Sequence, residues 1–149
     1  MIDKHPQSKY FAIVEAVAGT KLVEELDLGN PGTPISNRKF LAIEILRINA
    51  IVTIPSTVIA GGRTTGQLTD SDGNVIATFE CQTALTTSGG TQISSHQVDL
   101  TDGQGNGVLL AKNPKVTIQS SGAGAVQAFI GEVLWRYRAV KSTELVALA

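Results

Sequence analysis

Two short stretches hold oxygen-bearing side chains at close spacing. In "LTDSDGN", residues 68–74, Asp70, Asp72 and Asn74 fall at alternate positions with Gly73 before the last, which is how an oxygen-rich calcium loop opens. "LTDGQGN", residues 100–106, repeats the spelling with Asp102 and Asn106, preceded by Asp99. A complete calcium loop of the helical kind adds a later glutamate and flanking helices. Glu80 stands near that place, but "VIATFE" alternates as a strand does, and the second loop offers fewer ligands. Asp-Gly and Gly-Asn pairs between apolar runs tolerate the positive φ that tight turns demand. The loops at 70–74 and 102–106 therefore read as two hairpin turns, with calcium as the competing reading.

Other reactive groups are sparse. His5 and His96 are the only histidines, and neither has a Cys, His or carboxylate neighbour at metal-ligand spacing. Serine, histidine and aspartate are all present, yet no nucleophile-elbow pattern occurs. The single cysteine, Cys81, cannot form an internal disulfide and reads as a small buried strand residue. Glycine-rich "SGGTQ" (88–92) and "SSGAGA" (120–125) neither end in Gly-Lys-Ser nor open a helix, so they are not phosphate loops. The expectation is no catalytic residue, no metal, no cofactor, no small-molecule substrate and no enzyme activity. Arg136, Arg138 and Lys141 form a basic strip that suits either weak phosphate contacts or a solvated or inter-subunit ion-pair face. Aromatics are 5% of the chain, too few for a stacking platform, and Trp135 reads as core or interface.

These groups must be carried by one domain, because 149 residues suffice for a single core spanning 1–149. The composition is that of an ordinary globular domain, 42% hydrophobic with 12 basic against 13 acidic residues, and it has no basic arm for coating nucleic acid. The start of the chain lacks the pattern of a secretory signal, which predicts use without export. The longest apolar stretch, 40–54, is broken by Glu44, Arg47 and Asn49, which excludes a membrane helix there. Threonine, valine, isoleucine and glycine are abundant, and segments near 58–68, 74–85, 91–100, 107–111, 115–120 and 125–139 are each bounded by turn residues. That spacing predicts an all-β sandwich or barrel.

In "GEVLWRYRAV", Val133, Trp135, Tyr137 and Ala139 point one way and Leu134, Arg136, Arg138 and Val140 the other. In "FLAIEILRINAIVTI" the apolar face of Leu41, Ile43 and Ile45 switches to Leu46, Ile48, Ala50 and Val52. A long central strand with a bulge at 45–47 explains the switch, and a short helix through Leu46 is the competing reading. "TKLVEELDLGNPG" reads as a strand entering a Pro-Gly loop, or as a one-to-two-turn helix ended by Gly29. The apolar carboxy-terminal "ELVALA" is expected to pair with the sheet or to meet another subunit.

"LVEELDLG", "KFLAIEILRINAIVTI" and "GEVLWRYRAVKSTEL" together resemble segments of the small single jelly-roll capsid (coat) proteins of viruses, known mostly from environmental sequences. The resemblance covers about a third of the chain, judged from those three segments, and carries no site residue. It implies a single jelly-roll sandwich of about eight antiparallel strands, assembling with copies of itself into a symmetric, icosahedral shell. It further implies location in the virion after synthesis in the host cytoplasm, and weak nucleic-acid contact at most, through the inner face. Two other classes fit the same composition: a trimeric decoration or adhesin-like β-sandwich binding module, and a small β-barrel enzyme.

Overall fold

In a computed structural model of the chain, the residues described are 5–14, 22–36, 38–54, 63–82, 92–120 and 128–148. They form ten strands and one helix: β1 (Gln7–Val14), β2 (Leu22–Glu25), β3 (Pro34–Ser36), β4 (Lys39–Ile54), β5 (Arg63–Thr69), β6 (Val75–Gln82), β7 (Gln92–Asp99), β8 (Val108–Leu110), β9 (Lys115–Ser120), β10 (Ala128–Lys141) and α1 (Ser142–Leu148). All pairings are antiparallel. One sheet runs β1-β10-β4, with β3, β8 and β7 on the remaining edge of β4; the other runs β2-β9-β5-β6.

The registers show why three short strands share one edge. β3 meets β4 at Lys39 and Phe40, β8 meets it at Ile43–Ile45, and β7 meets it from Arg47 to Ile54. They lie end to end along a single 16-residue strand. If β7 and β8 count as one interrupted strand and β3 as an appendage, eight strands remain. Their two four-strand orders are β1-β10-β4-β7/8 and β2-β9-β5-β6, the arrangement of a jelly roll.

The core lies between the sheets and follows strand alternation. Phe11 and Ile13 of β1, Val133 and Trp135 of β10, Leu68 of β5 and Val116 and Ile118 of β9 all point inward and are buried. Leu26 and Leu28, in the loop after β2, close one end of the sandwich and are fully buried. Each such side chain contributes roughly 1.5–3 kcal/mol on burial.

The expected bulge in β4 is present. Leu134 pairs with Arg47 and Trp135 with Ile45, which leaves Leu46 without an opposite residue. The extra residue transfers inward direction from Ile43 and Ile45 to Ile48 and Ala50. Residues 22–25 are a strand, as favoured, and the described part of the first fifty residues holds strands and no helix. The helix is at the other end of the chain. Its apolar residues follow Lys141, whose backbone N–H donates to Glu144 Oε1 at 3.4 Å as in half of a capping box. The tail therefore folds as α1 rather than extending the sheet.

Gly131 shows how tightly β10 is fitted. A Cβ there would come within 2.6 Å of Phe11 Cζ and would press on the backbone oxygen of Asn49. The phenyl ring of the neighbouring strand lies over the glycine and fills the space a side chain would take.

Candidate functional site

The two similar loops adopt the same turn. In each, the backbone N–H of the first aspartate donates to the carbonyl of the asparagine four residues on: Asp70 to Asn74 at 2.9 Å and Asp102 to Asn106 at 2.8 Å. Asp70 Oδ1 accepts from the N–H groups of Asp72 and Asn74, and Asp102 Oδ1 accepts from those of Gln104 and Asn106. Gly73 and Gly105 occupy the matching left-handed position, at φ 91° and 82°. The shared spelling is thus a local folding unit, Asp-x-x-Gly-Asn.

The carboxylates serve these turns. The Asn74 amide donates to Asp70 Oδ2 at 2.8 Å and, with the turn's N–H groups, holds Asp70 below its ordinary pKa. The N–H groups of Asn106 and Gln104 do the same for Asp102. Asp99 is lowered by the hydroxyl and N–H of Thr101, with help from the charge of Arg47. Among the described residues no group of three or more His, Cys, Asp or Glu is placed to hold a metal ion.

Their settings differ. The first turn joins β5 to β6 as a hairpin, as expected, and lies at the rim, where Lys115 Nζ donates to the Ser71 carbonyl at 3.1 Å. The second is not a hairpin. It leaves the edge of β4 after β7 and returns to that same edge as β8. The detour falls opposite the bulge, where the N–H of Leu100 reaches the Leu46 carbonyl at 2.9 Å.

A buried charge cluster fastens this detour to the outward face of the sheet. Glu44, Arg136 and Arg138 all point away from the core. Glu44 is nevertheless fully buried, and its carboxylate accepts from Arg136 Nε and, at 3.0 Å, from Arg138 Nη1. The same guanidinium groups reach the loop: Arg136 Nη2 donates to the Gly105 carbonyl at 3.2 Å and Arg138 Nη1 to Asn106 Oδ1 at 3.3 Å. Two members of the basic strip read from the sequence, Arg136 and Arg138, are therefore partly exposed and paired with a carboxylate of the same chain. Both arginines share the single charge of Glu44, and Lys141 is exposed at the end of β10. Glu44 was legible only as an interruption in an apolar strand.

Beyond the clamp the same outward face is open. Ala12, Ile130 and Ile51 lie side by side on β1, β10 and β4, and Tyr10 is two residues from Ala12 on the same side. Tyr10 is 73% exposed, Ile130 52% and Ile51 44%. Around them stand Ser8, Glu132, Asn49 and Gln97, with Asn49 donating to Glu132 at 3.4 Å. The sequence signal for this row is slight: Ile51 interrupts the polar alternation of Arg47 and Asn49 on its side of β4 once the bulge is counted.

Remaining candidates do not converge. His5 precedes β1 and His96 is on β7, at opposite edges of the sheet. The side chains of Cys81, Glu80 and His96, and residues 83–91 and 121–127 with most of both glycine-rich stretches, lie outside the described residues. Trp135 is buried in the core, edge-on to Tyr137 at 4.8 Å between ring centroids. An open cleft of about 540 Å³ at the rim is lined by Glu25, Asn30, Thr33, Ser71, Lys112 and Lys115 among others, and contains neither histidine nor cysteine. No described helix is long and apolar enough to cross a membrane.

No protein-family model matches the chain, and no curated protein matches it. Solved structures match in outline. A subunit of the disulfide-linked pili of Bacillus endospore appendages has 13% identity over 90% of this chain and 89% of its own, with a TM-score of 0.44. Apo New Jersey polyomavirus VP1 has 8% identity over 93% and 100%, with a TM-score of 0.45. Infectious bursal disease virus VP2 from a subviral particle has 14% identity over 91% of this chain and 38% of its own, with a TM-score of 0.44. The jelly-roll assignment rests on the strand order of the chain itself.

Proposed function

We propose that the chain is a structural subunit that assembles with copies of itself into a closed protein shell, as a viral coat protein does. The observation that carries this reading is the exposed apolar row Tyr10, Ala12, Ile130 and Ile51 on the outward face of a jelly-roll sheet. Contiguous exposed apolar side chains rimmed by polar ones mark an association surface, and the jelly roll is a frame that capsid subunits use. Fold alone assigns no function, since lectins and cupins share the architecture. Against an enzyme stands the scatter of titratable groups: the rim cleft offers Glu25, Lys112 and Lys115, and the described histidine positions are on opposite edges. In this reading the protein resides in the virion after synthesis in the host cytoplasm. Contact with nucleic acid is weak, because Glu44 balances one of the two charges of Arg136 and Arg138 and the chain carries 12 basic against 13 acidic residues.

Size-exclusion chromatography with electron microscopy of the purified chain tests the proposal. Uniform shells support it. A monodisperse trimer that never closes favours a decoration or adhesin-like module instead, and a monomer under every salt and pH condition sinks both.

A further inference from the structure

The clamp on the outward face is short of one negative charge. Glu44 carries a single carboxylate, and the guanidinium groups of Arg136 and Arg138 share it, one on each oxygen. The next acceptors in reach are uncharged: Arg138 Nη1 donates to Asn106 Oδ1 at 3.3 Å and Arg136 Nη2 to the Gly105 carbonyl at 3.2 Å. A carboxylate at position 106 would stand where the second charge is missing, and hydrogen bonds between ionised partners are about twice as strong as neutral ones.

The residue after Asn106 is Gly107. When glycine follows asparagine, the next backbone nitrogen reaches the side-chain amide carbon with least obstruction, because no Cβ stands in the way. Packing holds that glycine in place, since a Cβ at 107 would press on the carbonyl oxygen of Ile45 and crowd the Glu44 side chain. The twin turn supplies the contrast. Asn74 is followed by Val75, whose branched side chain shields the nitrogen, and the Asn74 amide is bound to Asp70 Oδ2 at 2.8 Å. In the second turn the amide oxygen faces a cation instead, and the Asn106 side chain contributes least among the groups that lower Asp102. A guanidinium on Oδ1 stabilises the oxyanion that forms when the amide carbon is attacked. The bond that holds the 106–107 peptide, from the Asp102 N–H to the Asn106 carbonyl, closes an exposed turn and opens at small cost.

We infer that Asn106 is a site of spontaneous deamidation, and that the aspartate it becomes completes the charge cluster of Glu44, Arg136 and Arg138. The Gly107 nitrogen attacks Asn106 Cγ. The new N–Cγ bond closes a five-membered succinimide, the Cγ–Nδ2 bond breaks, and ammonia leaves with the proton that the nitrogen gives up. Water then opens the N–Cγ bond, its hydroxyl going to Cγ and its remaining hydrogen to the nitrogen, which restores the normal backbone and leaves a carboxylic acid that ionises. The new charge meets Asp102, but that residue is exposed and the repulsion is screened by water. It gains Arg138, which is already fixed beside a buried carboxylate. This modification tightens the loop within one chain and is independent of assembly.

Peptide mapping by mass spectrometry of the full chain, incubated at neutral pH in heavy-oxygen water, tests the inference. Asn106 is expected to become an acid carrying the heavy oxygen and to convert at least about tenfold faster than Asn74, the rate equivalent of one charge-assisted hydrogen bond. Aspartate rather than isoaspartate is the expected main product. Asn106→Asp should raise the Tm by about 2–4 °C in the unaltered chain and leave it unchanged in an Arg138→Gln background, a coupling that a change in the turn alone would not produce. The mapping decides the matter even if Arg138→Gln does not fold. An Asn106 that stays an amide or converts no faster than Asn74, isoaspartate as the main product, or an Asn106→Asp variant that melts lower or gains equally without Arg138 each overturn it.

Discussion

Replacing Glu44 with Gln isolates what the buried clamp contributes. The substitution keeps the shape and one acceptor but removes the negative charge that two guanidinium groups share. Breaking a fully buried ion pair by deleting one partner costs about 3–5 kcal/mol, because the remaining charge is left uncompensated. Here the stranded charges reach water, with the Arg136 and Arg138 side chains 26% and 37% exposed while that of Glu44 is 1% exposed. Partial solvation therefore reduces the expected cost to about 2–3 kcal/mol. For a domain of this length that corresponds to a fall in Tm of roughly 5–10 °C. Urea unfolding at a concentration below association is the assay, with an unchanged slope showing that the unfolded state is the same. Amide hydrogen exchange supplies a local readout: Gly105, Asn106 and Gly107 should lose protection before the sheet does, because the arginines that hold the loop are no longer fixed. A loss below about 0.5 kcal/mol, the size of a surface pair, would refute the claim that this carboxylate is an interior anchor.

Gly131→Ala should destabilise by about 1–3 kcal/mol, the usual cost of overpacking, and Phe11→Leu in the same chain should recover part of it; calorimetry of the single and double variants decides this. Gly73→Ala and Gly105→Ala should each cost roughly 1 kcal/mol, since both positions require positive φ, and equal losses at the two sites would mark them as one turn used twice. The Asp70 and Asp102 carboxylates lie below their ordinary pKa of 3.8. A depressed carboxylate contributes stability that is fully present above the ordinary value and is lost as pH falls through the folded-state value. The Tm gap between the unaltered chain and Asp70→Asn with Asp102→Asn should therefore be constant at neutral pH and close below 3.8. Replacing Asp70 and Asp72 with Asn should leave stability insensitive to chelators, and a calcium-dependent rise in Tm of the unaltered chain alone would show the turn to be a metal site.

Alternation along single strands was legible in advance because it is a local property. The Trp135 side of β10 could be assigned to the core, and the change of parity in residues 40–54 announced a bulge that the register places at Leu46. The repeated Asp-x-x-Gly-Asn spelling specified its own turn, since every hydrogen bond of that unit joins residues within five of each other.

Partnerships between distant segments were not legible. Glu44 meets Arg136 and Arg138 across more than ninety positions of chain, and nothing local to "LAIEILR" says that its carboxylate is buried by a loop from residues 105–106. For the same reason one turn became a hairpin and its twin a detour along β4: the turn closes identically, and only the neighbouring strands decide where the chain goes next. Tyr10, Ala12, Ile51 and Ile130 become a surface only when β1, β10 and β4 align them. The sequence alone determined which residues alternate and where the chain turns, because those depend on backbone sterics and neighbours a few positions away. Tertiary structure decided which charges are buried and which apolar residues are exposed, because burial is a property of what packs on a residue from elsewhere in the chain.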